Sequence, residues 1–137
     1  MIIFQQVFED KYQFFLKDIE YTAITVGPIS EKTDVVLKDD FNYNLSYETN
    51  SFNFEVKRTV SFSPNALYRL SVTFGAKLII RDTAAKLNNV NWDEEFRNNP
   101  VCINLIQGLL SRISVLISQI TSSYGQNPLV TPPSLVN

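Results

Sequence analysis

Apolar and polar residues take turns along the middle of this chain. From Val35 to Glu48, Phe41, Tyr43, Leu45 and Tyr47 fall on one side and Asn42, Asn44, Ser46 and Glu48 on the other. A period of two belongs to a strand with one buried face. After a short Thr49-Asn50-Ser51 link, Phe52, Phe54, Val56, Val60 and Phe62 alternate with Asn53, Glu55, Lys57, Thr59 and Ser61, so the two runs predict a hairpin. Ser63-Pro64-Asn65 is the next turn. Ala66 to Asp82 is the longest alternation, with Tyr68, Leu70, Val72, Phe74, Ala76, Leu78 and Ile80 opposite Arg69, Ser71, Thr73, Lys77 and Arg81. Ahead of these, Ile19 to Val26 predicts a first strand that Gly27-Pro28 breaks. Met1 to Leu16 fits a helix through Phe4, Val7, Phe8, Tyr12 and Phe15, while Ile2 to Phe4 equally fits a strand, and the pattern leaves both open.

Beyond Asn99 the period changes. Cys102, Ile103, Ile106, Leu109, Leu110, Ile113, Leu116, Ile117 and Ile120 recur at steps of three and four, the apolar stripe of a long helix. Asn99 suits its N-cap, and Pro100 its first position, where a missing N–H costs nothing. Gly125 offers a left-handed stop, and Pro128, Pro132 and Pro133 cannot continue a helix, while Leu129, Val130 and Leu135 give the tail apolar groups to dock. Strands wet on one face and apolar on the other need a cover. The fold class expected is therefore α+β: one domain over residues 1–137, a four-stranded antiparallel sheet with one face covered by a long C-terminal helix. Thr83 to Asn98 has to cross back over the sheet, with one helical turn at Glu94, Glu95 and Phe96. A connection of that length is often functional.

Composition narrows the chemistry. Twelve Lys+Arg against fourteen Asp+Glu, with no basic cluster, argue against a nucleic-acid partner. One cysteine and no histidine exclude an internal disulfide and the usual zinc ligand sets. No uninterrupted apolar run is long enough to span a bilayer, so direct membrane insertion is not expected. Glu9, Asp10, Lys11, Lys17 and Asp18 interrupt the N-terminal apolar patches, so no signal peptide is read and the cytoplasm is expected. Without histidine, a nucleophile and base could be paired only through lysine or carboxylates, and no glycine-rich phosphate loop exists. No enzyme activity, metal or cofactor is expected. Asp93-Glu94-Glu95 reads as charge at a helix start. Cys102 reads as a small core residue. Arg58 falls on the apolar face of its strand and either finds a buried partner or marks a bulge or edge.

This order of elements resembles the SecB family of export chaperones. Phe15-Leu16-Lys17-Asp18-Ile19-Glu20-Tyr21 is similar to the family's opening strand, and Asn99-Pro100 to its Pro-initiated helix. Gly125-Gln126-Asn127-Pro128-Leu129-Val130-Thr131-Pro132-Pro133 resembles its G-F-P-P-L-x-L-x-P segment. Gln126 and Asn127 depart from that pattern, as does Leu135-Val136 where Asn-Phe is usual. The chain also ends at Asn137, without the family's second helix and acidic or metal-binding tail, which puts coupling to the SecA motor in doubt. The resemblance implies an ATP-independent holdase for unfolded or extended polypeptide clients, linked through the family to protein export. It also implies a homo-oligomer, either a dimer or a dimer of dimers (a homotetramer). The alternative is an oligomeric interaction module dedicated to one protein partner, an antitoxin-type chaperone or scaffold.

Two sets of residues follow as candidate sites. Trp92 and Phe96 on the crossover are expected as exposed anchors for a client peptide, with Phe14, Phe15 and Tyr21 lining the opposite wall if the first strand lies at the sheet edge. The competing reading is that Trp92 pins the loop to the core. Gly108, Ser111, Val115, Ser118 and Ser122 lie on the helix side away from the apolar stripe, and their small size suits helix packing between subunits. The competing reading there is a solvated face.

Overall fold

A computed structural model describes residues 2–24, 34–46, 48–64, 67–81, 90–123 and 128–134. The Gly27-Pro28 break, the first half of the crossover, the Gly125 stop and Leu135-Val136 lie outside them. Four strands form one antiparallel sheet: β1 (Phe8–Ala23), β2 (Asp34–Ser46), β3 (Ser51–Ser63) and β4 (Tyr68–Ile80), in the order β1-β4-β3-β2. Helix α1 (Phe4–Val7) precedes β1, and α2 (Trp92–Asn98) and α3 (Pro100–Ser123) follow the sheet. The first strand thus starts eleven residues before the expected Ile19. The ambiguous opening is one helical turn running straight into it.

β2, β3 and β4 form the expected meander, and Asn50, with φ of 47°, takes the left-handed position at the β2–β3 turn that asparagine tolerates. The row Phe52, Phe54, Val56 and Val60 on β3 and the row Leu70, Val72, Ala76 and Leu78 on β4 are buried together. They face Leu105, Ile106, Leu109, Leu110, Ile113 and Ile117 of α3. Asn99 caps α3 as expected, its Oδ1 accepting from Val101 N–H at 3.1 Å. By length and composition α3 is long and apolar enough to cross a membrane, although polar residues such as Asn104 and Gln107 interrupt its apolar run. Arg112 is its one charged residue. Here its stripe is used against the sheet.

A bulge in β1 decides which way its aromatics point. Leu16 pairs with Phe74 but Asp18 with Thr73, so Lys17 is an extra residue and the alternation changes parity there. Phe14 before the bulge and Tyr21 after it therefore share the α3 face, while Phe15 lies on the polar face. Its ring crosses β4 directly over Gly75, where a Cβ would stand 2.3 Å from Phe15 Cζ. Only glycine leaves that room. The rest of this face is mostly polar, with the Lys17–Glu55 ion pair at 2.7 Å bridging β1 and β3.

Gly75→Ala is expected to push the Phe15 ring off the strand and destabilise the protein by about 1–2 kcal/mol. In a Phe15→Ala background the same change should be neutral or favourable, because glycine weakens a strand interior. Urea denaturation of the four-member cycle measures the coupling, and equal costs in both backgrounds would show that the ring does not rest there.

Candidate functional site

Arg58 interrupts the apolar row of β3 and is wholly buried, with 0% of its side chain exposed. Asp39 lies directly across on β2. Their contact is bidentate, Arg58 Nε donating to Asp39 Oδ1 at 2.8 Å and Nη2 to Oδ2 at 2.7 Å. The remaining N–H groups reach the chain's tail. Nη1 donates to Thr131 Oγ1 at 3.2 Å and to the Pro132 carbonyl, and Nη2 to the Ser134 carbonyl at 2.7 Å. All five guanidinium N–H groups are thereby used. Of the two readings of Arg58, the structure selects the buried partner. Thr131 Oγ1 also meets Ser114 Oγ of α3 at 2.9 Å, and Thr121 Oγ1 accepts from Leu129 N–H at 2.9 Å, so the tail is tied to sheet and helix alike.

On the other side stands α2. Asn91 caps it, its Oδ1 accepting from Glu94 N–H at 3.3 Å. Asp93 and Glu94 are exposed at its start, but Glu95 turns inward. Glu95 Oε1 accepts from Ile2 N–H and Oε2 from Asn99 Nδ2, each at 2.9 Å, which fastens the N-terminus under the α2–α3 junction. Beside it the Cys102 thiol is pushed up to about 12 by burial and by the Glu95 charge, so it stays protonated and unreactive at neutral pH. Among the described residues no group of three or more His, Cys, Asp or Glu is placed to hold a metal ion.

The aromatic residues of α2 divide. Trp92 is 6% exposed and stacks on Phe52 at 4.4 Å, the arrangement of a pin in the core rather than of an exposed anchor. Phe96 is half-buried, 4.4 Å from Phe41 and 5.8 Å from Tyr43 on the edge strand β2. Its outer side borders an open apolar cavity of about 330 Å³, lined also by Arg97 of α2, by Ile103, Ile106 and Gln107 of α3 and by Ser134 of the tail. Phe14, Phe15 and Tyr21 are not its opposite wall. β1 is the far edge strand, with β4 and β3 between, and Phe15 points to the other face. The wall facing Phe96 comes from α3 and the tail instead.

The α3 face away from the sheet is open. Ser111, Val115 and Ser122 are exposed, Val115 by 57%, while Gly108 and Ser118 are half-buried. Arg112 turns back over the Phe14 ring at 4.1 Å. A shallow apolar concavity of about 430 Å³ runs from Val115 and Leu116 to Phe74 of β4. Leu16 and Ile19, on the same face of β1, are 47% and 40% exposed.

Sequence reasoning missed that Asp39 and the tail clamp Arg58, and it missed the cavity's second wall. A signal for the clamp was present: Asp39 is the one acidic residue in phase with Leu37, Phe41, Tyr43 and Leu45 on the apolar face of β2. For Ser134 there was none, since nothing local ties it to residues on two helices.

A sheet of order β1-β4-β3-β2 under one long helix, followed by a docked tail, is a SecB-like fold. It is similar to the structure of the Mycobacterium tuberculosis SecB-like chaperone in complex with a ChAD peptide from the HigA1 antitoxin. The TM-score is 0.67 over 88% of this chain and 89% of that chain, at 9% identity. A Streptococcus agalactiae protein of unknown function matches at a TM-score of 0.46 and 14% identity, over 89% of this chain and 97% of that chain. No family model and no curated protein matches the sequence. At 9% identity the likeness to the chaperone is one of fold.

Arg58→Ala would remove the cation that faces the buried Asp39 carboxylate and untie the tail, at an expected cost of about 3–5 kcal/mol. Arg58→Leu combined with Asp39→Leu should recover much of that loss. Thermal melts of the two variants check this, and a single variant as stable as wild type would mean that the pair carries no stability.

Proposed function

We propose that this protein is an ATP-independent holdase that binds unfolded or extended polypeptide. The observation that carries the reading is the open apolar cavity beside Phe96, bordered by two helices and a tail, on a fold similar to that of a peptide-bound SecB-like chaperone. Apolar surface left beside a complete core is what a peptide-holding protein needs. Phe96 takes the contact role and Trp92 supports it from below through their shared packing on Phe52. Binding by apolar capture needs neither nucleotide nor cofactor, and the reading assigns no enzymatic reaction. A second reading has its own support: the similar chaperone is bound to a peptide from one antitoxin, which favours a module dedicated to a single partner. The two differ in breadth of client.

The expected outcome for the holdase is that the purified protein, without ATP, keeps several unrelated denatured proteins soluble at near-stoichiometric ratio, read by light scattering. Protection of one partner alone decides for the dedicated module, and protection of none ends both readings.

We also propose that the protein assembles with itself through the outer face of α3, with Gly108, Ser111, Val115, Ser118 and Ser122 at the contact. What supports this is a surface helix whose outward face carries small residues and an exposed valine, continuous with Phe74, Leu16 and Ile19, with Arg112 as the charge beside them, folded over Phe14. Val115→Glu places a charge in such a contact while costing an isolated protomer little. Sedimentation should show a smaller particle for the variant, and a monomeric wild type would refute the interface.

A further inference from the structure

The tail sits in the candidate groove in a way that a foreign chain could copy. Residues 128–134 have no regular structure, and most of their side chains are turned outward: Val130 is 82% exposed, and Pro132, Pro133 and Ser134 are exposed as well. Thr131 alone is buried. Apolar burial therefore contributes little to holding residues 131–134. Hydrogen bonds hold them instead, from Arg58 to one hydroxyl and two main-chain carbonyls, and between Thr131 and Ser114.

Main-chain carbonyls are offered by every polypeptide, so this half of the Arg58 fork does not select for sequence. A buried guanidinium left without those acceptors would carry a large penalty. The tail is thus poorly suited to leave by simple opening, but well suited to be exchanged for another chain that supplies the same acceptors. What it does not supply is an apolar side chain for the adjoining cavity. Ser134, at the cavity wall, brings a hydroxymethyl group to a space bordered by Phe96, Ile103 and Ile106.

We propose that residues 131–134 are a strap occupying the client site. An extended segment with a bulky apolar side chain at the level of Ser134 displaces it, handing its own carbonyls to Arg58 and burying that side chain in the cavity. Apolar burial which the strap lacks drives the exchange. This rests on the peptide-binding reading above and adds to it the site, the main-chain recognition and the competitor.

Ser114 Oγ and Thr131 Oγ1, 2.9 Å apart, mark where the strap can be locked. The double variant Ser114→Cys with Thr131→Cys is to be titrated, oxidised and reduced, with a fluorescein-labelled synthetic peptide in which Phe and Leu alternate with Ser and Asn. Binding is read by anisotropy, and buried Cys102 stays out of the exchange. The oxidised form should bind at least about tenfold more weakly than the reduced form of the same variant, with binding recovered on adding reductant. Equal binding by both redox forms overturns the strap while leaving peptide binding intact; no binding by the wild type overturns both. Should the cysteine pair fail to fold, Ser134→Leu asks the same question, because a tethered leucine fills the cavity. It should weaken peptide binding severalfold and raise the melting temperature, and unchanged affinity overturns the proposal.

Discussion

One buried charge organises the helix-covered side of the sheet. Arg58 stands where the alternation of β3 calls for an apolar residue, and a guanidinium there is tolerable only if every N–H finds an acceptor. Asp39 supplies the charge and two acceptors from the neighbouring strand. The tail supplies the rest, from residues more than seventy positions away. Because these partners come from β2 and from beyond α3, the fork joins sheet edge, sheet centre and chain end. It also specifies where the tail must lie, since few other places could satisfy the three remaining N–H groups.

The core explains itself in simpler terms. Two neighbouring strands present aliphatic and aromatic rows, and α3 covers them with its buried stripe. A single helix is narrower than four strands, about 10 Å against about 14 Å between the edge strands. Both flanks of the sheet therefore need something else. On the β2 flank, α2 and the tail do that work, with Phe96 laid across Phe41 and Tyr43 and Trp92 beneath on Phe52. On the β1 flank Leu16 and Ile19 stay exposed next to the open face of α3. The cavity and the candidate assembly surface are both consequences of one helix on a four-stranded sheet.

Polar connections keep the α2 flank in register. Glu95 holds the backbone of Ile2 and the Asn99 side chain, while Asn99 caps α3, so the N-terminus, α2 and α3 converge on one buried carboxylate. The inward carboxylate also raises the pKa of the neighbouring Cys102 thiol, although burial is the larger cause. Acidic residues adjacent in sequence thus have different fates. Asp93 and Glu94 stay in solvent beside the helix start, and Glu95, on the inner side of the same turn, becomes structural.

The sequence by itself determined the elements, because a period of two or of 3.6 is a local property of the backbone that any covered strand or helix must display. It determined the hairpin at Asn50, the start of α3 at Asn99-Pro100, and a covered face made of Phe52, Phe54, Val56 and the β4 row. Its periodicity also made Arg58 conspicuous, though not its tail partners. Only the tertiary structure decided which edge β1 joins, since the order β1-β4-β3-β2 depends on pairing between distant segments. One inserted residue at Lys17 then placed Phe14 and Tyr21 on one face and Phe15 on the other, an outcome that pattern cannot register because a bulge leaves both flanking alternations intact. The direction of Trp92 was likewise settled by what lay beneath it. An indole beside Phe52 is buried and the same indole over empty surface would not be, and that neighbour is brought there by a chain path of forty residues.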